Sequence, residues 1–178
     1  MKKFSRRHFL QSAGTTIGAG VIAAAVPSIT TALKSKNNRY EGKKLNIALV
    51  GLGRYAGYLA EGLQEAQYCR LAGIVTGTAS KAADWKKRYN IPDANIYNYQ
   101  NFDNIKNNKD IDVVYIVLPN SMHKEFAIRT ARAGKHVIVE KPMALSASDC
   151  LEMMDACKKA GVQWPLVTAC ITSLTTWR

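Results

Sequence analysis

The sequence is short of acid. Its 178 residues include 13 Asp and Glu against 25 Lys and Arg, a formal net charge of +12. Such an excess points to nucleic acid unless it is confined to one segment. Here it is confined: residues 1–44 hold nine Lys and Arg against the single acid Glu41, and the remainder carries a net +4, ordinary for a soluble domain. The sequence also offers no recognition helix or basic face, so nucleic acid is not expected as a partner. Cysteine is sparse as well. Cys69, Cys150, Cys157 and Cys170 lack the C-x-x-C spacing and the neighbouring histidines of a zinc or thioredoxin-type site. Buried free thiols are expected. Cys150 and Cys157 fall on one expected helix face, seven residues apart, too far along the axis for a disulfide.

A membrane-spanning run is missing too. The mildly apolar stretch Ala13 to Val26 has about 14 residues, where a spanning helix needs roughly 20. It follows Ser5-Arg6-Arg7-His8-Phe9-Leu10, and adjacent arginines ahead of a weakly hydrophobic segment have the layout of a twin-arginine signal. Residues 1–32 are read as that signal, with cleavage after Ala25 or Ala32. A Sec signal or a retained anchor is the competing reading. The expected partner is the twin-arginine export machinery and the expected location is the periplasm. Residues 33–44, rich in Lys and Asn and without an apolar period, read as a linker.

From residue 45 the pattern changes. Leu45-Asn46-Ile47-Ala48-Leu49-Val50 is an apolar run suited to a strand buried on both faces. It leads into Gly51-Leu52-Gly53-Arg54-Tyr55-Ala56, a G-x-G-x-x-A turn, and then a helix expected over Tyr58 to Gln67. In a dinucleotide fingerprint the first glycine allows the tight turn, the second lets the backbone approach a pyrophosphate, and Ala56 lets helix and strand pack closely. A second strand is expected over Arg70 to Thr76. An NAD-selective site places Asp or Glu after this strand to receive the ribose hydroxyls. That acid is missing: the chain reads Thr76-Gly77-Thr78-Ala79-Ser80-Lys81. Thr76, Ser80 and Lys81 can instead donate to a 2′-phosphate, with Arg54 adding positive charge, so NADP is expected in preference to NAD. A solvated lysine in a helix's first turn is the plainer reading of Lys81.

The alternation continues with a strand over 112–118, a helix over 122–133 stopped by Gly134, a strand over 136–140 and a helix over 146–160. Ser146 is the expected N-cap of that last helix, with Asp149 three residues on. Strands alternating with helices over 45–163 predict an α/β fold, a doubly wound parallel sheet of Rossmann type.

At two strand ends stand Leu118-Pro119-Asn120-Ser121-Met122-His123 and Glu140-Lys141-Pro142-Met143-Ala144. With Gly51-Leu52-Gly53 upstream, these segments resemble the glucose-fructose oxidoreductase, inositol dehydrogenase and rhizopine-catabolism (Gfo/Idh/MocA) family. Its glucose-fructose branch is most similar, through Gly53-Arg54-Tyr55-Ala56, Ile96-Tyr97-Asn98-Tyr99 and Asn101-Phe102-Asp103. The resemblance implies an NADP-dependent oxidoreductase acting on a sugar or polyol, in a parent that can be a homo-oligomer. Together with the glycine turn and the segment after the second strand, it gives an expected cofactor site of Gly51, Gly53, Arg54, Tyr55, Ala56, Thr76, Gly77, Ser80, Lys81, Tyr99, Leu118, Pro119, Asn120, His123, Glu140 and Lys141. Within that set Pro119, Asn120 and His123 line the nicotinamide ribose, Tyr99 approaches the cofactor, and Glu140 and Lys141 lie beside the nicotinamide. Lys141 is the implied catalytic residue, stabilising negative charge on oxygen as hydride leaves carbon, and a cis bond before Pro142 fixes its direction.

Beyond residue 163 the resemblance stops. Residues 164–178 match nothing in the family, whose members continue with a Gly-Tyr-Arg segment and a second α/β domain. A synonymous back-translation of this tail, moved by one base, reads Met-Ala-Ile-Gly-Tyr-Arg and resembles that continuation. A frameshift near codon 163 is therefore expected, leaving a cofactor-binding half without turnover. The alternative is a non-catalytic exported dinucleotide-binding or redox-sensing module.

Overall fold

A computed structural model of the protein describes residues 42–164. The expected export signal, its cleavage sites, most of the linker, Cys170 and the tail beyond Trp164 lie outside those residues. Among the described residues no helix is long and apolar enough to cross a membrane.

Five parallel strands form one sheet: β1 (Leu45–Val50), β2 (Cys69–Val75), β3 (Ile96–Tyr97), β4 (Val113–Ile116) and β5 (His136–Val139), in the spatial order β3-β2-β1-β4-β5. The strand order reverses between β1 and β4. Three helices lie between strands, α1 (Arg54–Glu65), α2 (Ala79–Tyr89) and α3 (Asn120–Arg132), and a fourth, α4 (Ala147–Ala160), follows β5. Residues of β1 point alternately into two cores. Ile47 and Leu49 meet Leu59 and Ala60 of α1 on one side, while Ala48 and Val50 join the cluster of Phe102, Phe126 and Met153 on the other. This is why β1 reads as continuously apolar: helices cover both faces, so neither face selects polar residues. The register runs from Ile47 opposite Val113 to Val50 opposite Ile116, and from Val113 opposite His136 to Ile116 opposite Val139. The carboxyl ends of β1, β4 and β5 are thereby level with one another.

Helix starts differ from the sequence pattern by one to four residues. Helix α1 begins at Arg54 rather than Tyr58, because Gly53 itself is the N-cap and the glycine turn runs directly into the first helical turn. Helix α3 begins at Asn120, with Pro119 as its N-cap. Ser146 caps α4 as expected, accepting the Asp149 N–H at 3.1 Å, and Gly161 ends it with φ +66°. The short β3 and the 3-10 turn over Phe102–Asn107 were absent from the expected pattern. Tertiary bonds hold that region: the Thr76 N–H donates to the Tyr97 carbonyl at 3.0 Å, and the Asn95 amide donates to the Ala72 carbonyl at 2.8 Å. The outer edge of β5 meets Gln163, whose carbonyl accepts the Val137 N–H at 3.0 Å.

Cys69, Cys150 and Cys157 are all free thiols, but only Cys69 and Cys157 are buried; Cys150 is half-buried. The uniform burial expected from sequence fails at Cys150, which lies in the first turn of α4, where seven residues fall slightly short of two full turns and leave it off the buried line of Cys157. Burial pushes the Cys157 thiol up to about 11 and raises that of Cys69. Thiolate is the reactive form. Iodoacetamide under native conditions is therefore expected to label Cys150 before Cys69 and Cys157, as read by peptide mass mapping. Equal labelling of the three would show that the two cores open on the timescale of the reaction.

Candidate functional site

The glycine turn sits where β1 leaves the sheet. Gly51 has φ +93°, and a Cβ placed on it would lie 2.9 Å from both a Leu118 methyl and the Val117 carbonyl oxygen. The turn therefore requires glycine for its conformation and for the close pass of the chain leaving β4. Gly53 has a different role. Its backbone is extended, and a Cβ there would have nothing within 4 Å. The protein leaves open space above Gly53, at the start of α1. That start has no side-chain cap and no acid in its first turn. Unpaired N–H groups, the positive end of the helix and room for close backbone approach fit a pyrophosphate. Ala56 is fully buried against the sheet, while Arg54 and Tyr55 are exposed in the same turn.

Beyond β2, Thr76 is buried and its hydroxyl oxygen accepts the Thr78 N–H at 3.2 Å. Its side chain shapes the turn from within, whereas Ser80 and Lys81 are exposed on the first turn of α2. The Lys81 ammonium reaches back to the Leu52 carbonyl at 3.4 Å, which stations a positive charge between the start of α2 and the glycine turn. Tyr99 closes this end: a Cβ on Gly77 would lie 3.0 Å from its ring. A residue not singled out from sequence, Arg129, holds Tyr99 there. Its guanidinium donates to the Tyr99 carbonyl at 2.9 Å, pairs with Asp103 and Glu125, and lies over the rings of Phe102 and Phe126.

On the other side of the switch point, β4 and β5 end in the two motif loops. Pro119 is exposed, Asn120 half-buried and Leu118 buried. His123 has no exposed surface. Its Nε2 lies 2.7 Å from the Leu118 carbonyl oxygen, and its Nδ1 lies 3.0 Å and 3.2 Å from those of Pro142 and Met143. The ring thus stands beneath the crevice and ties the two loops together, where the resemblance implied that it lines the ribose. The Lys141–Pro142 bond is cis, as the resemblance implied, and Lys141 is exposed.

Glu140 is gripped from inside. Tyr115, in the middle of β4, donates its hydroxyl to Glu140 Oε1, and the Lys141 N–H approaches Oε2 at 3.3 Å. Tyr55, exposed on the first turn of α1, lies close enough to this pair for the Glu140 charge to act on its phenol. Burial raises both phenols, and the neighbouring Glu140 raises them further. Both therefore stay protonated. The sequence signal for Tyr115 was a hydroxyl in an otherwise aliphatic strand, a group that needs a partner once buried. Among the described residues no cluster of three or more His, Cys, Asp or Glu could hold a metal ion.

Two contrasts follow from these distances. Gly51→Ala is expected to cost about 1–3 kcal/mol in urea unfolding, whereas Gly53→Ala changes stability by no more than about 0.5 kcal/mol. Equal costs would remove the distinction between a packing glycine and a clearance glycine. His123→Phe keeps the ring volume and removes the imidazole N–H from among these buried carbonyls, so a loss of about 1–3 kcal/mol is expected by the same measurement. Unchanged stability would show that the histidine is not a latch.

Comparison with known proteins places this geometry. Residues 45–167 match the family described as the oxidoreductase family with an NAD-binding Rossmann fold, GFO_IDH_MocA. The aldose-aldose oxidoreductase of Caulobacter crescentus, solved with glycerol, is 46 % identical with a TM-score of 0.66, over 67 % of this chain and 36 % of that one. The WlbA dehydrogenase of Bordetella pertussis, solved with NADH and UDP-GlcNAcA, is 25 % identical with a TM-score of 0.62, over 70 % and 37 %. The 2,7-anhydro-N-acetylneuraminate hydratase of Escherichia coli K12 is 46 % identical over 65 residues, 36 % of this chain and 18 % of that protein. The chain thus spans about a third of the length of the solved proteins it matches. With its parallel sheet, its glycine turn and both strand-end loops in place, this chain belongs to the Gfo/Idh/MocA oxidoreductase family and carries that family's dinucleotide-binding Rossmann domain.

Proposed function

We propose that this chain is the cofactor-binding half of an exported oxidoreductase that uses NADP and acts on a CH–OH group of a sugar or polyol. The observation that carries the reading is the open cradle over Gly53, at an uncapped helix start with the Lys81 ammonium across from it. Gly51, Gly53 and the first turn of α1 would hold the pyrophosphate. Ser80 and Lys81 face the adenosine side with donors and no acid, with Tyr99 as its wall and Arg54 adding charge. Pro119, Asn120, Glu140 and Lys141 border the opposite side, at the ends of β4 and β5.

When bound there, a nicotinamide supplies the hydride acceptor. The remaining chemistry belongs to the chain's own groups. Lys141, exposed at the end of β5 and held by the cis-prolyl loop, offers an ammonium to the substrate oxygen and stabilises the negative charge that develops on it. The sugar or polyol substrate is supported by the similarity to an aldose-aldose oxidoreductase solved with glycerol. Export is supported by the paired Arg6 and Arg7 ahead of a weakly apolar segment. In the whole enzyme, substrate contacts and self-association would involve a further domain.

The cofactor preference is measurable on this chain. Calorimetric titration is expected to show NADP+ binding at least about tenfold more tightly than NAD+, since charge-assisted bonds to a 2′-phosphate contribute about 1.5–3 kcal/mol each. Lys81→Ala is expected to remove most of that margin while leaving NAD+ affinity within about threefold. Tighter binding of NAD+ would overturn the preference.

A further inference from the structure

The carboxylate of Glu140, at the carboxyl end of β5, is held by two hydrogen bonds. Tyr115 donates to one oxygen from within β4, while the Lys141 N–H approaches the other at 3.3 Å. Both carboxylate oxygens are thus engaged, one of them by a side chain from the neighbouring strand, which a plain strand terminus does not require. A neutral phenol hydroxyl and a backbone N–H fix the direction of the charge without cancelling it. Lys141, the next residue, and Arg54, on the first turn of α1, are both exposed, so solvent screens them.

The sheet locates what this charge would act on. The strand order reverses between β1 and β4, and a dinucleotide lies across such a switch point with its pyrophosphate at the helix start. The adenosine half lies toward β2, where Ser80 and Lys81 stand. The nicotinamide half is then carried over the ends of β4 and β5, beside Glu140. The two redox forms of the dinucleotide share the same phosphates and riboses and differ in the ring, which is a pyridinium cation when oxidised and neutral when reduced. A fixed carboxylate acts on that difference.

We propose that Glu140, held by Tyr115 and the Lys141 N–H, selectively raises the affinity of this site for the oxidised form of a nicotinamide dinucleotide relative to the reduced form. This rests on the reading that a dinucleotide occupies the crevice. The carboxylate is then a specificity-determining group for redox form, distinct from the groups on the adenosine side that choose between NADP and NAD.

The test compares dissociation constants for NADP+ and NADPH on the 178-residue chain, by calorimetry for the oxidised form and nucleotide fluorescence for the reduced form. Glu140→Gln removes the charge and keeps the side-chain length. It is expected to shift the ratio of the two constants about tenfold toward NADPH, chiefly by weakening NADP+. Glu140→Asp keeps the charge but withdraws it from Tyr115, and is expected to shift the ratio about two- to threefold in the same direction. It gives an independent decision if the glutamine variant does not fold. Binding of both forms with an unchanged ratio, or with a shift toward NADP+, in either folded variant overturns the inference and leaves the cofactor reading standing. Failure of the parent chain to bind either form overturns both.

Discussion

The site depends on how closely two chain segments pass at the end of the central strand. Where β1 exits, the backbone of Gly51 comes so near Leu118 and the Val117 carbonyl that a single methyl group would collide with both. The same turn is tied sideways, with the Gly51 N–H donating to the Val75 carbonyl at 3.0 Å and the Val117 N–H to the Val50 carbonyl at 2.8 Å. These contacts bring the exits of β1, β2 and β4 together. A helix start, a basic turn and a proline loop thereby border one crevice. A larger residue would spread the strand ends, and the phosphate cradle would lose its position relative to the loops on either side.

On the β4 and β5 side, the loop bearing Lys141 is fixed through its neighbours more than through the lysine. His123 sits against the carbonyls of Leu118, Pro142 and Met143, and Glu140 engages Tyr115 and the Lys141 N–H. Both sets of contacts bridge β4 to β5, or a helix to a strand end, so the exposed lysine rises from a base braced on two sides. Such division of labour is usual where an exposed group must keep a fixed direction: buried partners provide the rigidity and the functional atom stays free.

Much of this was legible in the sequence, because the relevant signals are local. The apolar runs of β1 and β4, the glycine turn and the Ser146 cap each follow from a few adjacent residues. The missing acid after β2 was equally visible. What escaped notice was set by distant contacts. The two-residue β3 has too little length for a periodic pattern and exists because β2 offers it an edge. Arg129 reads as one more basic residue near the end of α3, and only the folded chain places it over two aromatic rings and against the Tyr99 carbonyl. His123 was noticed for its motif, but its direction depends on a loop 19 residues downstream.

His123 and Arg129 are both on α3, six residues apart, about 9 Å along its axis at 1.5 Å per residue. One braces the lysine-bearing loop and the other anchors the tyrosine wall across the switch point. A single stiff rod therefore sets the spacing of two surfaces that belong to opposite ends of the crevice. Its jaws are not independent: a tilt of this helix changes the width and alignment of both together, and a disturbance at one end is transmitted to the other as a lever transmits it, without any intervening change in the sheet.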